Sequence, residues 1–495
     1  MSGTGPTSVV WFRRDLRLAD NPAWAAATSG AGHVVAAFVV DPVPADRAGP
    51  ARLRLLRAHL EALHDRLVGL GGGLHLLHGD PAAEIPELCR RTGATSVHVN
   101  ADVTTYARAR DDAVARQLAA VPGGRVELAS HWGNLVHPPG SVTAASTGEV
   151  HRVFTPFFRA WSSAVPGPWP EPGAARVVPP PDAPRWPAAW PGRDGHGPSG
   201  GAAGKGEGEG TALGETGAAS PGEAGVASPG EEGATARLAG WLDRVDGYDE
   251  RRDAPADESG TSLLSADLRF GTLAARHVAE AVGTATAARA AFVRQLAWRD
   301  WYAHLLAARP GLARHAMAPE MDRIAWRDDP EGLAAWREGR TGFPFVDAGM
   351  RQLAATGWMH NRARMVTASF LVKDLLVDWR LGEAHFRREL VDYDLTQNVG
   401  NWQWVAGTGP DAAPYFRVFN PVAQGRKLDP AGDYVRRWVP ELAGLPGDAV
   451  HAPWELGPLE LAAAGIVAGE TYPERIVDHA AARDRAIAAY SAARN

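Results

Sequence analysis

A short stretch in the second half of the chain combines side chains that could hold a nucleobase. Trp358, Asn361 and Met365 follow one another at spacings of three and four, which puts them on one face if the stretch is helical. Arg362 and Arg364 flank that face. A Trp and a Met are ordinary core residues, but an amide on the same face needs hydrogen-bond partners, which a bound base could supply.

A second polar cluster lies further along the chain. If Asp392 to Asp394 is extended, both carboxylates point to one side and could accept hydrogen bonds from ribityl hydroxyls or a ring N–H. The same spacing is equally typical of a turn with helix-capping aspartates. Asn398 and the run from Trp402 to Trp404 follow this cluster.

Two further segments have residues suited to phosphate. The turn Gly260-Thr-Ser-Leu-Leu-Ser265 precedes a predicted helix, whose first N–H groups bind phosphate or are simply capped by the hydroxyls. A later segment, residues 413–437, combines aromatic residues with basic ones. This pattern is typical of surfaces that bind nucleic acid, and a solvated charged face is the alternative. Its basic residues are Arg417, Arg426, Lys427, Arg436 and Arg437.

Composition sets the outer limits. A chain of 495 residues is too long for one core and indicates two or three domains. No apolar run is long enough to cross a membrane, no secretion signal is visible, and the lone Cys89 excludes an intramolecular disulfide or a Cys-rich metal site. These features predict a cytoplasmic protein with no metal and no membrane partner. The net charge of −6 does not decide whether the chain binds nucleic acid. Residues 191–235 hold seven acidic and two basic residues, so the remainder of the chain is near neutral.

The first part of the chain alternates apolar runs with helical patterns, which predicts a doubly wound parallel sheet covered by helices. The predicted strands are 8–12, 33–40, 74–78, 96–100 and 126–129. The predicted helices are 21–27, 51–70, 82–91 and 104–119.

The rest of the chain changes character twice. Residues 135–235 are predicted to be an interdomain connector, in which the Pro-, Gly- and Glu-rich stretch 191–235 is disordered. Residues 236–495 are predicted to form an all-α domain that follows the α/β domain of residues 1–134. Its predicted helices are 287–306, 332–337, 345–355, 360–378 and 384–391.

The chain resembles the photolyase/cryptochrome family, and class I photolyases in particular. The resemblance rests on Val9-Val-Trp-Phe-Arg-Arg-Asp-Leu-Arg-Leu18, Thr356-Gly-Trp-Met-His-Asn-Arg362, Thr367-Ala-Ser-Phe-Leu-Val-Lys-Asp374 and Ala412-Ala-Pro-Tyr-Phe-Arg-Val-Phe-Asn-Pro421. It implies an α/β antenna domain, a helical FAD-binding domain and UV-damaged DNA as the partner. A monomer is expected.

The resemblance assigns roles to individual residues. The family's FAD contacts correspond to Tyr248, Thr261, Ser262, Leu263, Leu264, Ser265, Phe292, Arg364, Asp392, Tyr393, Asp394 and Asn398. Of these, Asn398 corresponds to the residue that faces flavin N5, where an amide favours the anionic reduced flavin, and Leu263 replaces the family's usual Arg. Trp402, Trp379 and Trp326 correspond to the chain of tryptophans that carries electrons to oxidised flavin.

The DNA and lesion contacts implied by the resemblance are Arg252, Gln295, Trp298, Arg299, Asn361, Arg362, Met365, Trp404 and Arg417. Enzymes that repair (6-4) lesions carry histidines where this chain has Asn361 and Met365, so cyclobutane dimers are the expected substrate. Gln295 is a departure in the other direction, because enzymes for cyclobutane dimers have Glu there and (6-4) enzymes have Gln.

The antenna chromophore is expected to be 8-hydroxy-5-deazaflavin. Asp102 corresponds to one acid of deazaflavin-type relatives, while Thr104 replaces their second acid. Tyr106 and Ala107 replace the pair that holds folate in other relatives, which argues against folate. An empty antenna site is the alternative.

The reaction that the resemblance implies is transfer of an electron from photoexcited reduced FAD to a dimer flipped out of the duplex. Two alternatives stay open. A cryptochrome-type photoreceptor would lack repair, and the absence of a long tail after the core argues against it. A flavoprotein that only transfers electrons would show no light-dependent turnover.

Overall fold

The computed structural model describes residues 5–121, 125–188, 190, 227–412, 414 and 417–494, which form two compact units. The first unit comprises residues 1–136, 166–243 and 262–281, and the second comprises residues 137–165, 244–261 and 282–495. Within the described residues, no helix combines the length and apolarity that crossing a bilayer requires.

Strands and helices alternate at the start of the chain and give way to helices. The strands are β1 (Thr7–Phe12), β2 (His33–Val40), β3 (Leu74–His78), β4 (Ala94–Asn100), β5 (Glu127–His131) and β6 (Arg176–Val177). The helices are α1 (Pro22–Ser29), α2 (Pro42–Ala45), α3 (Pro50–Gly69), α4 (Pro81–Thr92), α5 (Thr105–Leu118), α6 (Phe154–Ser163), α7 (Gly230–Leu242), α8 (Tyr248–Arg251), α9 (Ser265–Phe270), α10 (Ala275–Val282), α11 (Ala287–Ala308), α12 (Pro330–Arg337), α13 (Pro344–Thr356), α14 (Asn361–Ser369), α15 (Trp379–Glu389), α16 (Leu395–Ala406), α17 (Pro421–Leu428), α18 (Asp433–Trp438), α19 (Pro458–Ala463) and α20 (His479–Arg494).

The first unit is built on a parallel sheet with the strand order β3-β2-β1-β4-β5. Val9 of β1 lies opposite Val35 of β2 and Val97 of β4, and all three are fully buried. Runs of Val buried on both sides are what a parallel sheet between helices requires. The predicted fold class, an α/β domain with a parallel sheet and a helical domain, is confirmed.

The predicted connector contains more ordered structure than its composition indicated. Its residues 191–226 lie outside the described residues. β6 pairs with β2, and α6 belongs to the second unit. α7 begins at Gly230, before the predicted boundary at Thr235. Glu231 in its first turn accepts hydrogen bonds from the backbone N–H groups of Leu18 and Ala19.

The second unit is helical, with a core that includes Trp336, Phe343, Trp379, Trp402 and Tyr434. The single helix predicted for 360–378 is wrong in detail. The α-helix α14 ends at Ser369, and a short π-helix, Phe370–Asp374, follows it directly. Leu376 then adopts φ +55°, which ends the helical path, and Asp378 caps α15 by accepting from the N–H of Arg380.

A buried histidine joins α3 to α7 in the first unit. His59 is fully buried, and its Nδ1 accepts a hydrogen bond from the N–H of Gly230 at 3.0 Å. Desolvation lowers the pKa of His59 to about 4, with Arg237 adding to the effect and Asp267 opposing it. The folded protein therefore holds this imidazole neutral.

Acid is expected to destabilise the first unit through His59. Because the folded pKa is about 4 and the unfolded pKa is 6.5, stability present above pH 6.5 is lost as the pH falls toward 4. The loss from this one group is about 3 kcal/mol. His59→Gln should therefore show a smaller drop in melting temperature between pH 7.5 and 4.5 than the wild type, and equal drops would contradict a neutral buried imidazole.

Candidate functional site

The start of α14 gathers the residues predicted to hold a base. The Nδ2 of Asn361 and the Nη1 of Arg362 both contact the Sδ of Met365, at 3.7 and 3.6 Å. Trp358 was predicted to share this helical face, and that prediction is wrong. Gly357 ends α13 with φ +68° and His360 caps α14, so Trp358 lies in the link between the two helices.

A carboxylate that the sequence reasoning missed holds Arg362. The Nε and Nη2 of Arg362 donate to the two oxygens of Asp253, each at 2.8 Å. Arg252 lies 3.8 Å from the same carboxylate and 5.5 Å above the ring of Tyr248. The adjacency of Asp253 to Arg252 was the only signal in the sequence, since Arg362 is 109 positions away.

Arg364 points to a different partner. Its Nη2 donates to Asp392 Oδ2 at 2.8 Å, and its Nε donates to the carbonyl of Met359 at 2.7 Å. The Asp392 side chain is only 3% exposed. Its Oδ1 is buried, and no described residue donates to it.

Asp394 and Asn398 lie one helical turn apart at the start of α16. Asp394 Oδ1 accepts from the N–H and hydroxyl of Thr396, so the capping interpretation holds for this residue. Asn398 Nδ2 donates to the backbone carbonyl and Oε1 of Glu383, both at 3.1 Å. Glu383 also accepts from the hydroxyl of Tyr393. Glu383 thus fixes the orientation of the Asn398 amide.

Tyr248, Phe292 and Thr261 also belong to the second unit. The rings of Tyr248 and Phe292 meet edge to face, 5.3 Å apart. Thr261 Oγ1 is buried, and no described residue bonds to it. Burial raises the pKa of Tyr248, so its hydroxyl stays protonated near neutral pH.

The three predicted electron-relay tryptophans differ in exposure. Trp402 and Trp379 are buried, and Trp326 is partly exposed. Trp402 also lies against Phe386 and against Trp336, a buried tryptophan that the sequence reasoning had not singled out. A Cβ at Gly382 would lie 2.2 Å from the Trp402 ring, so only glycine allows this approach.

The remaining predicted DNA contacts are spread over the second unit. Trp298 on α11 stacks on Phe154 with ring centroids 3.7 Å apart and planes 13° apart. Gln295 Nε2 donates to the carbonyl of Ala291 on its own helix. The carbonyl of Arg299 accepts from Gln397, while Trp404 packs on the helical core. Arg417 lies 5.7 Å above the ring of Phe419, and the neighbouring positions 413, 415 and 416 lie outside the described residues.

Two predicted contact regions belong to the first unit. Ser262, Leu263 and Leu264 lead into α9, which begins at Ser265, and Leu263 adopts φ +56°. The predicted antenna residue Asp102 pairs with Arg14 at 2.9 Å, and its Oδ1 accepts from the N–H of Thr104. The N–H of Leu264 donates to Ser262 Oγ at 3.3 Å, so each region has a local hydrogen bond of its own.

The buried oxygens of Asp392 and Thr261 fit a polar ligand such as a flavin. A buried polar atom without a protein partner is costly, and a ligand that bonds to it removes the cost. Asp392 can accept from a ring N–H or a hydroxyl, and the Thr261 hydroxyl can donate to a phosphate oxygen. The residues present thus fit FAD.

Comparison with known proteins agrees with this fit. Residues 8–174 match the family described as DNA photolyase, and residues 292–492 match the FAD binding domain of DNA photolyase. Curated relatives named deoxyribodipyrimidine photo-lyase include those of Streptomyces griseus, 43% identical over 97% of this chain and 98% of the relative, and Escherichia coli, 37% identical over 99% of each.

Solved structures are similar along the whole chain. A class III photolyase from Agrobacterium tumefaciens is 37% identical, with a TM-score of 0.84 and coverage of 100% of this chain and 99% of that one. A Synechocystis cryptochrome is 28% identical, with a TM-score of 0.82 and coverage of 99% and 100%. With the match of both domains and of the full-length relatives, the chain belongs to the DNA photolyase family.

Proposed function

We propose that this protein repairs cyclobutane pyrimidine dimers in DNA with light, using FAD. The observation that carries the proposal is that α14 presents two different sets of side chains. Asn361, Arg362 and Met365 form one polar and apolar face, while Arg364 on the same helix is paired with the buried Asp392. One short helix thus presents residues suited to a base and residues suited to a flavin.

FAD would be held by the side chains that surround Asp392 and by Thr261, which belongs to the same unit. When bound and reduced, it supplies an electron donor that light can excite. The Nη2 of Arg364 donates to Asp392 and orients this side chain for a donor on the flavin ring. Glu383 turns the Asn398 amide nitrogen toward itself, so that the amide oxygen is the atom left for the ligand.

The dimer would be bound by Trp298, Asn361, Arg362, Met365 and Trp404, with Gln295 as an amide partner. α16 packs against both α11 and α14, the helices that carry the other lesion contacts. A dimer stacks and pairs poorly, so taking it out of the duplex costs less than flipping a normal base. Arg252, Arg299 and Arg417 would contact the phosphate backbone.

The state of His360 favours cyclobutane dimers over (6-4) lesions. His360 caps α14 by accepting from the N–H of Arg362, and it is buried. Desolvation first, with help from Arg362 and Arg364, lowers the pKa of His360 to about 4. This imidazole is therefore neutral and has a structural role. The two other positions at which (6-4) enzymes carry histidine are Asn361 and Met365 in this chain.

The three tryptophans are proposed to carry electrons from the surface when the flavin has become oxidised. Their exposures support that order, with Trp402 and Trp379 inside and Trp326 outward. Trp402 is held against α15 by its contact with Gly382.

Class and antenna are finer proposals. Class I is the sequence assignment, and 8-hydroxy-5-deazaflavin at Asp102 is the proposed antenna. The ion pair of Asp102 with Arg14 fixes that carboxylate within the first unit. Denaturing the protein and recording the absorption of released chromophores would identify the antenna, and release of FAD alone would support the empty site.

Repair of oligo(dT) that contains one cyclobutane dimer tests the proposal. The reduced protein should restore absorbance at 260 nm under blue light and not in the dark. If absorbance does not recover while FAD is bound and photoreducible, the proposal is wrong. A (6-4) substrate then tests the second repair activity, and failure of both leaves the photoreceptor role suggested by the similarity to a cryptochrome.

A further inference from the structure

Asp253 is placed to control what Arg362 can bind. Its two oxygens accept from the Nε and Nη2 of Arg362 in a parallel pair of hydrogen bonds. Arg362 comes from α14, and Asp253 comes from the loop after α8, so the pair joins two distant segments. The guanidinium can rotate little while both bonds hold.

The ion pair between Arg362 and Asp253 contributes little to the stability of the fold. The side chains are 29% and 46% exposed, and ion pairs at that exposure contribute little to folding. The bonds leave the Nη1 of Arg362 as the donor that points toward Met365 and, through it, toward Asn361. The direction of this donor is what the pair determines.

We infer that Asp253 is a specificity-determining residue. It balances the charge of Arg362 and orients the guanidinium toward the lesion instead of the phosphate backbone. The inference rests on the proposed function. Carboxylate and phosphate compete for the same fork of an arginine. While Asp253 occupies that fork, Arg362 adds little to the binding of undamaged DNA. Arg252, 3.8 Å from the same carboxylate, is held less firmly and remains available to a phosphate.

Asp253→Asn tests the inference because the amide keeps the shape and removes the charge. Binding is measured in the dark, on flavin-loaded protein, with duplexes that differ only in one thymine dimer, over a series of salt concentrations. The variant should bind undamaged DNA about tenfold more tightly at low salt, with a salt slope steeper by about 0.9, equivalent to one further phosphate contact. The ratio of dimer affinity to undamaged affinity should fall about tenfold.

Asp249→Asn is the matched control. Asp249 is an exposed acid on α8, four positions earlier, and its substitution makes the same change in charge. Asp253→Glu restores the carboxylate and should recover most of the ratio. Combining Asp253→Asn with Arg362→Ala should abolish the steeper slope, since the effect acts through Arg362.

The outcomes separate the two proposals. The inference is overturned if Asp253→Asn and Asp249→Asn change the salt slope and the ratio of dimer to undamaged affinity equally. It is also overturned if the steeper salt slope persists when Arg362 is replaced by Ala. If the wild type itself does not prefer dimer DNA and does not repair it, the proposed function fails and the inference fails with it.

Discussion

Protein carrying Asp392→Ala is expected to be purified with little FAD. The change removes a buried carboxylate, leaves Arg364 without its 2.8 Å partner, and removes the oxygen proposed to bind the flavin. A hydrogen bond to a charged group is worth about 1.5–3 kcal/mol, which corresponds to FAD binding about 10- to 150-fold weaker. The ratio of flavin absorbance to protein absorbance measures the loss, and titration with FAD gives the affinity.

The control for Asp392→Ala is Glu441→Ala. Glu441 accepts from Arg351 at 2.6 Å, and Arg351 is as exposed as Arg364, a quarter of each side chain being accessible. This variant loses an Arg–carboxylate pair in the same unit, with a carboxylate that is 20% exposed against 3% for Asp392, and it loses none of the proposed flavin contacts. Equal loss of flavin from both variants would show that general destabilisation, not a lost contact, explains the result.

Trp298→Ala is expected to give the largest loss of lesion recognition. Trp298 stacks on Phe154 at a centroid distance of 3.7 Å and also contacts Trp301 and Tyr302, so neighbouring rings fix an indole that is still partly exposed. Stacking of a base on an aromatic ring is worth about 1–3 kcal/mol, so dimer DNA should bind about 5- to 150-fold more weakly. Affinity for undamaged DNA should change little, because a base that stays in the duplex does not reach the ring.

Binding of dimer and undamaged duplexes to the same preparations measures the effect. Trp132→Ala is the matched control, since Trp132 is an exposed tryptophan of the first unit that is not among the proposed contacts. Trp298→Phe should retain part of the preference for dimer DNA. An unchanged preference in Trp298→Ala would exclude this ring from lesion binding.

Local patterns were sufficient to predict five strands of the sheet in the first unit but not the short β6, which lies in the predicted connector. β2 and β3 have the predicted bounds, because Gly32 precedes β2, Pro42 follows it after one residue, and Gly73 and Gly79 flank β3. Boundaries set by a single backbone angle were not predictable. Leu376 has no sequence feature that announces φ +55°, so the break predicted at 379–383 lies before Trp379 in the structure.

The candidate site was predictable where neighbours in sequence share a helix, as Asn361 and Met365 do. Contacts across long separations were not. The pairing of Arg362 with Asp253 and of Asn398 with Glu383 depends on how helices pack, which periodicity does not encode. Trp358 shows the opposite error, in which a correct spacing was assigned to a helix that starts three residues later.

The contact between Gly382 and Trp402 has a consequence for directed evolution of this protein. Helix propensity alone would recommend alanine at a glycine inside a helix. At position 382 a methyl group would enter the Trp402 ring, whereas at Gly240 on α7 it would meet no described atom within 4 Å. A mutant library that seeks heat tolerance should therefore leave codon 382 unchanged and begin with Gly240→Ala.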